Sequence, residues 1–96
     1  RYAYIDKEKI MDWDKVRQIY PNQWVLIEAL KAHSDSGKRL LDQLSVLNSF
    51  SDSLSAMQSY KHIHKNSPQR ELYVIHTQKE SLNIEERTWA GIRGTR

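Results

Sequence analysis

"QWVLIEALKAHSDSGKRLLDQLSVLNSF", residues 23–50, decides the fold. Apolar side chains run consecutively from Trp24 to Ile27 before polar ones intrude. That is the pattern of a strand buried on both faces at its start and on one face later. Asp35, Ser36 and Gly37 then supply turn chemistry. Residues 38–50 alternate, with Leu40, Asp42, Leu44, Val46, Asn48 and Phe50 against Leu41, Gln43, Ser45, Leu47 and Ser49. A second long strand, paired back on the first as a hairpin, is the expectation.

Helical periods flank this hairpin. Upstream, "MDWDKVRQIYP" (11–21) spaces Trp13, Val16, Ile19 and Tyr20 on one helical stripe, behind Asp12 as N-cap and ahead of Pro21 as terminator. Downstream, "SDSLSAMQSYKHIHKNSP" (51–68) repeats Leu54, Met57, Tyr60, Ile63 and His64 at threes and fours. Ser51 or Asp52 is its N-cap, and Pro68 forbids continuation. "ELYVIHT" (71–77) returns to period two, with Leu72, Val74 and His76 opposite Tyr73, Ile75 and Thr77.

The stretch "SLNIEERTWAGIRG" (81–94) is open to two readings: a short strand alternating Leu82, Ile84 and Glu86, or a helical turn at residues 84–87 before Gly91 and Gly94. The expectation is a loop followed by a short edge strand around residues 87–92. The class is therefore α+β: a small, mostly antiparallel three- to four-stranded sheet with one long and one short helix, in the order α-β-β-α-β, then an irregular tail or edge strand. Residues 11–96 are expected to form this single domain. Residues 1–10 precede the first methionine, Met11, and are expected to be an extraneous or disordered segment.

The first and third strands carry apolar side chains on both sides: Trp24 and Leu26 against Val25 and Ile27, and Leu72 and Val74 against Tyr73 and Ile75. A three-stranded sheet with one long helix buries only one such face. Either the short Trp13 helix or a second copy of the chain must cover the other, and a symmetric dimer is the common solution for small domains.

Composition narrows the function. A chain of 96 residues buries only about 60–65% of its unfolded surface, leaving no room for a deep cleft beside a separate binding domain. At 39% apolar and 28% charged it is globular in character. No window has the apolar length of a membrane span, so a cytoplasmic address is expected. The absence of cysteine suits a reducing compartment and excludes disulfides, thiolate nucleophiles and Cys-ligated zinc. The net charge of +3 resides in residues 37–70, the flanking thirds being neutral.

Few constellations carry chemistry. His62 and His64 with His33 and His76 suggest a metal, but helix residues two apart project about 200° from each other, so no metal site is expected. No cofactor motif is present either. His76 at a strand end is a candidate general base, with Glu86 to orient it and Arg87 or Arg93 to stabilise an anionic transition state. A strand-end histidine bonded to a neighbouring backbone carbonyl is the blander account. Trp24 reads as core, whereas Trp89 and Ile92 beside Arg87 and Arg93 form an aromatic-basic docking tail. Lys38, Arg39, Lys61, Lys65 and Arg70 with the C-terminal arginines make a modest phosphate-binding set.

"YPNQWVLIEALKAH", "ELYVIHT" and "ERTWAGIRG" together resemble an uncharacterised family of small bacterial proteins, mostly from Gram-positive organisms, that share Tyr-Pro-x-x-Trp-Val-x-Ile, Tyr-Val-x-His-Thr and Glu-Arg-x-Trp-x-Gly-Ile-Arg-Gly. The likeness spans roughly residues 20–94 and carries no catalytic or ligand residue with it. The expected function is a small non-enzymatic interaction module that binds a macromolecular partner or itself, as a homodimer. The alternatives are a weak nucleic-acid binder and a small hydrolase or nuclease built on His76, Glu86, Arg87 and Arg93.

Overall fold

The computed structural model describes residues 10–85. In chain order the elements are α1 (Trp13–Ile19), β1 (Trp24–Asp35), β2 (Lys38–Phe50), α2 (Ser53–Asn66), β3 (Leu72–His76) and β4 (Ile84–Glu85). The four strands form one sheet in the order β3-β1-β2-β4, antiparallel throughout. This is the expected α+β class with a small antiparallel sheet.

Local signals act where the residues place them. Asp12 accepts the Lys15 N–H at 2.9 Å and Asp52 accepts the Ser55 N–H at 2.7 Å, so each helix starts on a carboxylate that satisfies an orphan donor. Between Asp35 and Lys38 only Ser36 and Gly37 intervene, with φ of 52° and 80°. Two successive left-handed residues are what a two-residue hairpin loop requires, and only glycine adopts that region without steric cost.

The strict alternation expected for β2 does not survive. Register shifts between Leu26 and Ile27, Ala29 and Lys31, and Lys31 and Ala32 leave Leu47, Leu30 and Asp42 without direct partners. Each such bulge reverses which face the following residues occupy. Leu41 consequently packs with Leu44 and Val46 against one core, while Leu40 is exposed. The bulges also coil the hairpin, so that Arg39 near its tip reaches Glu71 just before β3, through Nε–Oε2 at 2.8 Å and Nη2–Oε1 at 3.0 Å. Tyr73 Oη donates to the same carboxylate at 2.6 Å.

Both faces of β1 are closed within one protomer. On one face, Trp13 and Val16 of α1 cluster with Val25, Ile27 and Leu44, joined by Met11, Tyr73, Ile75 and Leu82. Trp13 Nε1–H donates to the Lys79 carbonyl at 2.8 Å, and Met11 exchanges backbone bonds with Leu44 at 2.8 and 2.9 Å. Arg17 Nε–H donates to the Thr77 carbonyl, whose own residue is buried and hydrogen-bonded to Gln23 through both N–H and Oγ1. On the opposite face α2 lies against β3, β1 and β2, where Leu26, Leu72 and Ala56 are buried. Of the two covers considered for the apolar sheet, the short helix is the one that seals Val25 and Ile27. Those two residues therefore give no reason to require a second copy.

The stripe expected on α2 is rotated. Ala56 is buried and Ser59, Tyr60, Ile63 and Ser67 are half-buried, whereas Leu54 is 68% exposed and Met57 38%. Two large apolar side chains, Leu54 and Met57, are thereby left outside. The tail also differs in part from expectation. A strand begins earlier than anticipated, at Ile84, which pairs with Arg39 while Glu85 pairs with Lys38. The edge strand anticipated around residues 87–92 lies outside the described residues, as do residues 1–9.

Candidate functional site

Strand β3 lies at one edge of the sheet, and among the described residues no strand pairs with its outer side. In an antiparallel pair, alternate residues turn their backbone groups toward the neighbouring strand and the others turn away. Ala29 N–H donates to the Glu71 carbonyl, and Thr77 N–H to the Gln23 carbonyl, both at 2.9 Å. Odd-numbered residues of β3 thus face β1, and Leu72 and Val74 direct their N–H and C=O groups outward together with the His76 N–H, the His76 carbonyl accepting the Lys79 N–H at 3.2 Å. Among the described residues nothing pairs with Val74 on that side.

Apolar hollows adjoin this edge. One, about 370 Å³, is lined by Trp24, Val74, Ile75, His76, Lys79 and Ile84. The other, about 290 Å³, is lined by Met57, Tyr60, Leu72, Tyr73 and Val74. Val74 belongs to both, so the free backbone and the two hollows form one continuous surface. The exposed Met57 stands beside it, with Leu54 one helical turn earlier on α2. Nothing on β3 guards the edge, since residues 72–76 contain no Lys, Pro or carboxylate and no bulge interrupts them.

Cross-strand register builds the aromatic end. Trp24 stands opposite Phe50 on one side and His76 on the other, placing the three rings on one face of the sheet. The Trp24 and His76 rings meet edge to face with centroids 5.1 Å apart. His76 Nδ1 accepts the Gln78 N–H at 3.1 Å, which leaves the proton of the neutral ring on Nε2. The expected backbone-carbonyl partner of His76 is thus replaced by a backbone N–H, because the chain turns at Gln78. Trp24, expected in the core, is half-buried and contributes a wall of the larger hollow.

The other sequence-derived site residues, Glu86, Arg87, Trp89, Ile92 and Arg93, lie outside the described residues. His33 pairs with Asp42 at 2.7 Å on the exposed part of the hairpin, and His64 stacks on Tyr60 with centroids 5.5 Å apart. Helix α2 remains regular through Asn66, keeping His62 and His64 on different sides. Among the described residues no cluster of three or more His, Asp or Glu side chains is placed to hold a metal ion. Of the basic set, Arg39 is bound to Glu71, and Arg70 to Glu28 at 2.6 Å. Arg39 beside it holds the Glu71 carboxyl below its ordinary value, with the Tyr73 hydroxyl acting in the same direction. Burial, then the adjoining Glu71 carboxylate, pushes the Tyr73 hydroxyl upward.

The edge was missed from sequence because strand order was left open. One signal was present: "LYVIH" has the composition of an inner strand, and its placement at the rim is what makes it exceptional. No family model matches the chain, and no curated protein or solved structure matches it. Among the described residues no helix is long and apolar enough to cross a membrane.

Proposed function

We propose that this protein is a small, non-enzymatic interaction module that binds a macromolecular partner or a second copy of itself through the open edge of β3. The observation that carries the reading is Val74: its outward backbone groups are unpaired among the described residues, on an uncharged strand, between two apolar hollows. A strand edge of this kind gives affinity through main-chain hydrogen bonds and selectivity through side chains that enter flanking pockets. A cytoplasmic address belongs to the same reading and draws support from the cysteine-free sequence.

The two alternatives have less support. A nucleic-acid binder needs cations available for phosphate, and Arg39 and Arg70 are both engaged by carboxylates. A hydrolase needs a histidine with a base to orient it, whereas His76 commits Nδ1 to the chain's own Gln78. The test is to compare association, with itself and with proteins of a cell extract, for the unaltered chain, Val74→Lys and Ile19→Ser. The expected result is association lost in Val74→Lys and kept in Ile19→Ser, which alters an exposed residue of α1. Association equal in both variants, or no association of any kind, rejects the reading.

A further inference from the structure

Resting on that reading, we infer that the occupant of the β3 edge is a second copy of the chain, its β3 paired antiparallel to the first about a two-fold axis at Val74. The outward-facing residues Leu72, Val74 and His76 are symmetric about Val74, so this register brings the Val74 N–H and C=O, the Leu72 C=O and the His76 N–H of each copy to a partner, the His76 carbonyl already accepting the Lys79 N–H. The two Val74 residues then form a hydrogen-bonded pair, flanked by two Leu72–His76 pairs that each add a bond from His76 N–H to Leu72 C=O, for about four backbone bonds. An axis on Tyr73 or Ile75 would shorten the overlap of the two strands.

Side chains are compatible with themselves in this register. On the α2 face, Val74 meets Val74 and Leu72 meets His76. On the α1 face, Tyr73 meets Ile75. Beyond the strand, Glu71 falls opposite Thr77 and Arg70 opposite Gln78, so no like charges confront each other where they would be most costly. Each row already crossing the sheet continues into the partner: Asn48, Leu26 and Val74 meet Val74, Leu26 and Asn48. An isologous contact needs such self-matching of one patch, and an eight-stranded sheet results. The hollow beside Met57 and Tyr60 lies next to the axis, where the partner's α2 covers it along with the exposed Leu54 and Met57.

The chain has no cysteine, which makes a single introduced thiol a clean reporter. Paired residues at the axis have Cα atoms about 5.5 Å apart, within the span of a disulfide. Full-length Val74→Cys is therefore expected to cross-link to a dimer under mild oxidation, and Ile19→Cys to remain monomeric. Sedimentation of the unaltered chain over a concentration series is expected to show a reversible dimer. Val74→Pro removes one outward N–H without touching the bonds to β1, and edge strands accept proline at such positions. With its circular dichroism unchanged, that variant is expected to sediment as a monomer.

A chain that stays monomeric at every concentration overturns the inference. So does a dimer that survives Val74→Pro, or one whose Val74→Cys variant fails to cross-link while its Ile19→Cys variant does. In either case, capture of another protein that is lost in Val74→Lys would leave the proposed module standing with a different occupant.

Discussion

The two helices cover opposite faces of one sheet, and the shorter buries more of its own large side chains. Helix α1 has 7 residues and buries Trp13 and Val16 over Val25, Ile27 and Leu44, whereas α2 has 14, lies over the equally buried Leu26, and buries only Ala56 of its own side chains. Length is therefore a poor guide to cover. What α1 has is support from outside itself: Met11 bridged to Leu44, Leu82 packed alongside, and the Trp13 indole tied to Lys79. Helix α2 turns Ala56 fully inward and leaves Leu54 and Met57 exposed, Met57 in the wall of the hollow beside Leu72 and Val74.

The contrast is broken most severely at Trp13. Trp13→Ala removes a large buried side chain and the bond to Lys79, and a loss of about 4 kcal/mol is expected in urea unfolding monitored by circular dichroism. Ile27→Ala, directly beneath α1, is expected to cost about 3 kcal/mol through the cavity it leaves. A loss below about 1 kcal/mol at either position would mean that this face is not the core.

Intermediate effects belong to the network that ties the coiled hairpin to β3. Glu71→Gln is expected to cost about 1–2 kcal/mol at neutral pH by weakening a doubly bonded carboxylate. Because Arg39 holds this carboxyl below its ordinary 4.5, the stabilisation is complete above that value and is lost as pH falls through the lower folded value. Acid titration of unfolding should thus be shallower in Glu71→Gln than in the unaltered chain. Tyr73 shows the opposite sign: its hydroxyl is raised from 10.0, so its contribution is intact below pH 10 and declines as pH rises further. Tyr73→Phe should cost about 1 kcal/mol at neutral pH and flatten the alkaline loss.

The smallest effect is expected on α2. Leu54→Ser, on a side chain 68% exposed, should change monomer stability by no more than about 0.5 kcal/mol. A larger loss that depends on protein concentration would sharpen the comparison, because it would place Leu54 at an interface between copies.

Much of this architecture is legible along the chain. Asp12, Asp52, Pro21, Pro68 and the Ser36-Gly37 turn act through neighbours a few residues away, so their meaning survives without tertiary context. The double-sided apolar character of Trp24–Ile27 correctly marks an inner strand. The period of α2 was legible too, but its rotation was not, since Leu54 and Met57 are apolar enough to suggest the buried side. The same limit applies to the site. His76 was visible as a strand-end histidine, but its partners Trp24 and Gln78 emerge from pairing and from a turn. Of the residues grouped with it, Glu86, Arg87, Trp89, Ile92 and Arg93 lie outside the described residues.

By itself, then, the sequence determined element order, helix ends, the hairpin turn and the apolar content of each strand, because these depend on contacts within a few residues. Only the tertiary structure decided which strand became the rim, where bulges reversed the faces of β2, and which helix sealed its side. Those outcomes depend on long-range pairing, and a shift of one residue in that pairing moves every following side chain from core to solvent.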